Sequence, residues 1–223
     1  MALSFQRPGK VICVGLNYRD HAREAGLEPP EEPLLFAKFP SALIGPGDPI
    51  VLSALSDQTD FEAELAVIVG ERAKGVPRAS AFDVVAGYAC FNDVSARDLQ
   101  RADKQWTRGK SFDTFGPVGP ALVPASELRD PHSLAIACRI DGELVQQGNT
   151  ADMIFGVDEL IEYITQTITL EPGDLIATGT PAGIGAWHDP PCWLRPGQTV
   201  SVEIDRVGRL ENPVIGAGRE GAR

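Results

Sequence analysis

"TDFEAELAVIVG", residues 59–70, is the stretch on which the reading of this chain turns. Taken as a β-strand, its side chains alternate between two faces. Asp60, Glu62 and Glu64 then share one face, while Phe61, Ala63, Leu65, Val67 and Val69 share the other. Ala66 and Ile68 carry the acidic face onward into apolar territory. Carboxylates on the same side of a strand repel, and burying one without a partner is costly. Two readings are open. Either the strand begins in solvent and Glu62 and Glu64 face water, or a hard divalent cation such as Mg²⁺ or Mn²⁺ gathers their oxygens. The second needs another carboxylate from elsewhere. "CFNDVSARD", residues 90–98, offers Asp93 at the end of an apolar run, although a turn or helix cap would use an aspartate there equally well.

At 223 residues the chain can bury one sizeable core, and its 43% hydrophobic and 23% charged content is that of a soluble globular protein. A net charge of −11 argues against a nucleic-acid partner, whose phosphates are met by Lys and Arg. "MALSFQRPGK" at the start has no apolar signal core, and no run approaches membrane-spanning length. The expectation is a cytoplasmic protein without a membrane partner. Cys13, Cys90, Cys138 and Cys192 form no C-x-x-C pair and read as free thiols, and three histidines (His21, His132, His188) are too few for a His-rich zinc site.

Local patterns predict many short elements separated by Gly and Pro turns. "KVICVGLNY", "DPIVLSA", "FEAELAVIVG" and "VVAGYACFNDV" read as strands, and "RDHAREAG" as a short helix ended by Gly26 and the following prolines. "LAIACRIDGELVQQG" reads as a hairpin turning at Asp141-Gly142. Val157, Leu160, Ile161 and Ile164 mark one apolar helix face, and Pro-Gly turns precede strands in "EPGDLIATGT" and "RPGQTVSVEID". The fold class expected is α+β, mainly β with a few helices. A small N-terminal segment (1–50) precedes one domain (51–214), and 215–223 is a flexible tail.

Three further motifs bear on chemistry. Gly109-Lys110-Ser111 looks like the end of a phosphate-binding loop, but Lys104 stands where that motif needs glycine, which excludes ATP binding by this route. Lys110 lies among Trp106, Phe112 and Phe115, surroundings expected to desolvate its amine and lower its pKa, unless it is an ordinary surface lysine. His21 and Glu24, three apart, share a helix face, where a carboxylate could fix the imidazole tautomer; exposed helices also carry such pairs. "TGTPAGIG" is a loop whose backbone could approach a ligand, without dinucleotide-binding spacing.

Taken in order, "GLNYRDHAREAG", "PLLFAKFPSALIGPGDPI", "DFEAELAVIVG", "GYACFNDVSARDLQ", "WTRGKSFDTFGPVGP", "DMIFGVDELIEYIT", "LEPGDLIATGTPAGIG" and "ENPV" resemble the fumarylacetoacetate hydrolase family over roughly residues 10 to 214. The resemblance implies a mixed β-roll or sandwich with a few peripheral helices, as a homodimer. It implies one Mg²⁺ or Mn²⁺ per subunit, held by Glu62, Glu64 and Asp93, with Asp60 exposed or behind the ligands. Lys110, His21 and Glu24 would be catalytic, and Arg97, Gln100 and Thr180 would contact substrate. The substrate class implied is a small anionic 2-oxo acid, on which the cation acts as a Lewis acid toward enolate charge. The leading expectation is a C–C bond hydrolase of acylpyruvate or fumarylpyruvate type. The alternatives are an isomerase or decarboxylase of 2-oxo or 2-hydroxydienoate acids in aromatic catabolism and, more remotely, a non-catalytic metal-binding β module.

Overall fold

The structure, a computed structural model, describes residues 7–217. The strands are Val11–Gly15 (β1), Leu34–Lys38 (β2), Leu43–Ile44 (β3), Ile50–Val51 (β4), Thr59–Asp60 (β5), Ala63–Val69 (β6), Val85–Asn92 (β7), Ser95–Ala96 (β8), Gly116–Pro124 (β9), Ala135–Ile140 (β10), Glu143–Asn149 (β11), Leu175–Ala177 (β12), Thr199–Ile204 (β13) and Gly208–Ile215 (β14). The α-helices are Arg19–Glu24 (α1), Arg97–Asp103 (α2), Trp106–Lys110 (α3) and Val157–Thr167 (α4). A seven-stranded sheet runs β2-β1-β12-β6-β7-β9-β3, a five-stranded sheet runs β11-β10-β13-β14-β4, and β5 pairs with β8 alone. The segment 1–50, set apart in the sequence reading, supplies β1, β2 and β3 to the larger sheet.

β6 occupies the middle of that sheet and is buried along its whole length. Its two faces enter different cores. Ala63, Leu65, Val67 and Val69 join the large cluster that includes Ile136, Cys138, Val200 and Val202 of the five-stranded sheet. Ala66 and Ile68 join a smaller cluster with Val11, Phe91 and Leu175. Both faces being apolar, the strand reads as a near-continuous hydrophobic run after its acidic start.

The single strand read across 59–70 is interrupted. β5 pairs antiparallel with β8, the ladder stops at Phe61 and Glu62, and pairing resumes at Ala63 opposite Asn92. Side chains take over the backbone donors at the break. Phe61 N–H donates to Asp60 Oδ1 at 2.8 Å, Glu62 N–H to Asn92 Oδ1 at 3.1 Å, and Ala63 N–H to Gln146 Oε1 at 3.0 Å. Every buried backbone donor needs a partner, so these polar side chains make the kink stable.

The hairpin forms as expected, β10 and β11 turning at Asp141-Gly142 with both residues at positive φ. Helix α4 buries the expected face of Val157, Leu160, Ile161 and Ile164. β2, which the pattern did not single out, lies along β1 at the sheet edge. All four cysteines are free thiols. Residues 218–223, most of the expected tail, lie outside the described residues. Among the described residues no helix is long and apolar enough to cross a membrane.

Candidate active site and metal centre

Glu62 precedes β6, Glu64 lies within it, and Asp93 follows its neighbour β7. Asp93 N–H donates to the Glu62 carbonyl at 3.0 Å, which locks the two acidic positions together. Carboxylate oxygens of Glu62, Glu64 and Asp93 all lie within 4.8 Å of one another, and all three residues are buried. The sequence reading that put Glu62 and Glu64 in water is thereby excluded.

Cations surround this cluster. Lys110, on the short helix α3, donates from Nζ to Glu62 Oε2 at 2.9 Å, Asp93 Oδ2 at 2.7 Å and Ser95 Oγ at 2.8 Å. Gly109 makes this placement possible, since a Cβ there would stand 2.8 Å from the Gln100 backbone nitrogen of α2. Arg97, at the start of α2, donates from Nε to Asp60 Oδ2 at 2.8 Å and from Nη2 to Glu62 Oε1 at 2.5 Å. Lys38 ends β2 fully buried, its Nζ 2.7 Å from Asp93 Oδ1 and bonded to the carbonyls of Val94 and Phe115. The Lys38–Asp93 contact is close in distance but not aligned as a hydrogen bond, so Asp93 Oδ1 is left without an aligned donor.

Four buried carboxylates (Asp60, Glu62, Glu64, Asp93) therefore face three buried cations (Lys38, Arg97, Lys110). Of these four, Glu64 is the one with no ion pair among the described residues. Its Oε2 accepts only the Gly179 N–H, at 2.9 Å. Burial, with Asp93 and Glu62 nearby, pushes Glu64 well above the usual carboxylate range. Burial acts the same way on Glu62, but Lys110 and Arg97 overcome it and hold that carboxyl at about 2.

Lys110 departs from the sequence expectation of a lowered pKa. Burial does favour its neutral form, and its Nζ lies 5.1 Å from the Phe36 ring centroid. The carboxylates of Asp93 and Glu62 outweigh burial and hold the ammonium above the ordinary lysine range. The lowered lysine is Lys38, where burial prevails over the attraction of Asp93. Asp60 is likewise corrected in part: it lies behind the ligands and is fully buried, not exposed.

A cavity of about 540 Å³ opens over the cluster. His21, Glu62, Glu64, Arg97, Gln100, Lys110 and Thr180 line it, and the apolar side chains of Leu27, Leu34, Trp106 and Trp187 form its outer wall. Glu24 stands behind His21, its Oε2 3.2 Å from Nδ1, while its Oε1 accepts the Gly183 N–H at 3.0 Å. The pair thus ties α1 to the 178–185 loop. Gln100 Oε1 accepts from Arg97 Nη1 at 3.0 Å. The Thr180 hydroxyl donates to the Ala63 carbonyl at 2.9 Å and accepts from Gln146 Nε2 at 2.7 Å. All nine side chains named from the sequence converge on this place. Lys38, Gln146 and Ser95 were missed. The only sequence signal for Lys38 was a charge closing the apolar run "LLFAK".

The family profile described as Fumarylacetoacetate (FAA) hydrolase C-terminal matches residues 10–215. The chain belongs to the fumarylacetoacetate hydrolase family. Relatives within or beside this family are close in sequence. The chain is 49% identical over 211 residues to a Bos taurus protein named "Oxaloacetate tautomerase FAHD2B, mitochondrial", covering 94% of this chain and 67% of that one. Among solved structures, one described as 5-carboxymethyl-2-hydroxymuconate delta-isomerase from Mycobacterium smegmatis superimposes with a TM-score of 0.87 at 40% identity, covering 97% of this chain and 82% of that one. Another, described as fumarylacetoacetate hydrolase from psychrophilic Exiguobacterium antarcticum, gives 0.89 at 41% identity, with coverages of 96% and 78%. The family fold is thus the one expected, and the enzyme-like character of its members is shared by tautomerase, isomerase and hydrolase names alike.

The donor set fits a divalent metal of the hard, oxygen-preferring kind. The cluster offers carboxylate oxygens only, Glu64 lacks an ion pair, and Asp93 Oδ1 lacks an aligned donor.

Proposed function

We propose that this chain is a divalent-cation-dependent enzyme that moves a proton on an enolisable 2-oxo acid, with keto–enol tautomerisation of an oxaloacetate-like dicarboxylate as its leading reaction. The observation that carries this is the buried Glu62–Glu64–Asp93 cluster beneath a cavity that also holds His21, Arg97 and Lys110. The names of the relatives support the same choice. Glu62, Glu64 and Asp93 would hold one Mg²⁺ or Mn²⁺, which supplies Lewis-acid stabilisation of enolate charge when bound.

The chain's own groups do the rest. Arg97 and Gln100 meet the substrate carboxylate, and the Lys110 ammonium adds positive charge where enolate charge collects. Glu24 holds Nδ1 of His21, leaving Nε2 to take the proton from the carbon beside the keto group. The enolate oxygen then takes a proton back from His21 or from water, so one C–H bond is exchanged for one O–H bond and no C–C bond breaks; run in reverse, the same steps convert enol to keto. Leu27, Leu34, Trp106 and Trp187 limit water around the intermediate.

Hydrolysis of an acylpyruvate, the reaction with which the sequence reading leads, is the second proposal, favoured by the His21–Glu24 pair, which could equally activate a water. Decarboxylation needs the same enolate and no attacking water. The cytoplasmic location and the homodimer belong to this proposal too; the mitochondrial names of relatives leave a reducing interior as the common ground, in keeping with four free cysteines.

The test is metal-stripped protein with and without added Mg²⁺ or Mn²⁺, given enol oxaloacetate and acetylpyruvate. Metal-dependent decay of the enol's ultraviolet absorbance without release of pyruvate supports the tautomerase reading. Appearance of pyruvate and acetate from acetylpyruvate moves the assignment to hydrolase, and CO₂ from oxaloacetate moves it to decarboxylase. Absence of any metal-dependent turnover would refute the substrate class.

A further inference from the structure

Asp60 is the buried acid that the metal cluster does not use. It is fully buried, and both its oxygens are doubly engaged. Oδ1 accepts the N–H of Phe61 at 2.8 Å and of Gly185 at 2.8 Å; Oδ2 accepts Arg97 Nε at 2.8 Å and the Ala186 N–H at 3.1 Å. A carboxylate with four acceptor sites is thereby saturated. Two of its donors come from the 183–187 loop, and one comes from the guanidinium that lines the cavity. The same loop lends Ile184, Ala186 and Trp187 to the cavity wall.

The approach is close enough to demand glycine. A Cβ on residue 185 would stand 2.5 Å from Asp60 Oδ1 and 2.0 Å from the Cys192 carbonyl. Arg97, for its part, spends Nε on Asp60, Nη1 on Gln100 and Nη2 on Glu62. With five N–H donors in a rigid fork, it keeps two for an incoming anion only while those three fix its plane.

We propose that Asp60 is a positioning residue that locks the anion-facing guanidinium of Arg97 to the 183–187 wall, so that substrate carboxylate and cavity wall are set by one group. This rests on the reading of the site as one for a 2-oxo acid. Asp60 is not among the clustered carboxylates and reaches Glu62 only through Arg97, so its effect falls mainly on the anion and much less on the cation. A buried ion pair that served folding alone would make no such distinction.

The experiment compares wild type and Asp60→Asn, both loaded with Mn²⁺, using oxalate as a stable mimic of a 2-oxo acid. Mn²⁺ affinity is read by electron paramagnetic resonance, and oxalate affinity by the fluorescence of Trp106 and Trp187 at the cavity wall. Asp60→Asn is expected to keep Mn²⁺ affinity within about threefold and to weaken oxalate about 10- to 100-fold. In an Arg97→Gln background the same change should cost little more, because the two act as one unit. Equal losses of Mn²⁺ and oxalate, unchanged oxalate affinity, or full additivity with Arg97→Gln would each overturn the proposal. Should Asp60→Asn fail to fold, Gly185→Ala pushes the loop off Asp60 with the charge retained; a tenfold loss of oxalate affinity at unchanged Mn²⁺ affinity supports the lock, and unchanged oxalate binding overturns it. Wild type that binds neither Mn²⁺ nor oxalate would instead defeat the functional reading beneath it.

Discussion

Glu64→Gln and Asp93→Asn each replace one carboxyl of the same cluster by an amide, yet only the second should destabilise the metal-free protein. Asp93 meets two buried ammonium groups, Lys110 at 2.7 Å and Lys38 at 2.7 Å. Neutralising it leaves both short of a counter-ion, and breaking a buried pair from one side costs about 3–5 kcal/mol. Glu64 has no ion pair and accepts one backbone N–H, a bond that glutamine can also accept. Burial and the nearby Asp93 and Glu62 favour its protonated form, which glutamine mimics, so Glu64→Gln should be neutral or stabilising. For a chain of this length each kcal/mol moves the melting temperature by about 2–4 °C. In chelator, Asp93→Asn should therefore melt about 6–20 °C below wild type, with Glu64→Gln at or above it. Adding Mn²⁺ at about 100 times its Kd stabilises wild type by about 2.7 kcal/mol, or about 5–11 °C, and Glu64→Gln by clearly less. Differential scanning fluorimetry reads all of these. If Glu64→Gln is as damaged as Asp93→Asn in chelator, Glu64 is not the spare charge; if it keeps the full Mn²⁺ shift, the cation binds elsewhere.

Three further outcomes follow from single contacts. His21→Ala should lower turnover of metal-loaded protein about 10²–10⁴-fold, the usual span for a general acid–base group, and unaltered turnover in steady-state assays would remove His21 from proton transfer. Lys38→Met should destabilise by about 1.5–3 kcal/mol, since the buried carbonyls of Val94 and Phe115 lose their charged donor while Asp93 keeps Lys110, and urea midpoints will show it. Asp20 has a carboxyl pushed above its ordinary 3.8 by burial, with Asp152 beside it, so the folded state binds the extra proton. Its contribution to stability is present at low pH and lost as pH climbs from that value through the raised pKa. Asp20→Asn should accordingly gain on wild type as pH rises, and parallel melting curves from pH 4 to 7 would contradict the shift.

How much of this was legible in the sequence depended on whether a contact is local. Glu62 and Glu64 declare themselves because the period of a strand puts alternate residues on one face, and His21 and Glu24 because three residues nearly close a helical turn. Asp93 could be placed at a strand end but not opposite Glu62, which takes the β6–β7 register to show. The ladder break at Phe61 and Glu62 was illegible because its acceptors, Asn92 and Gln146, come from distant strands. The sign of the Lys110 shift failed for a similar reason. Its neighbours in sequence are aromatic, but its neighbours in space are two carboxylates, and at 2.7–2.9 Å these outweigh desolvation.

The same charges explain how a chain of net charge −11 can offer a site to an anion. Charges on the surface are screened within about 8 Å at physiological ionic strength, whereas buried ones are screened far less. What an entering carboxylate meets is thus the local balance of Asp60, Glu62, Glu64 and Asp93 against Lys38, Arg97 and Lys110. With every one of these groups ionised and no cation, that balance is negative by one charge, and burial relieves it by favouring the protonated form of Glu64. A divalent ion held by Glu62, Glu64 and Asp93 would turn the balance positive by one and give Glu64 the partner it lacks. On the proposed function, charge would favour cation first and anion second, while Asp60, Glu62 and Gln100 hold Arg97 so that its two remaining N–H groups face the substrate carboxylate; Asp60→Asn makes the balance more positive, so it weakens an anion only where that orientation outweighs charge.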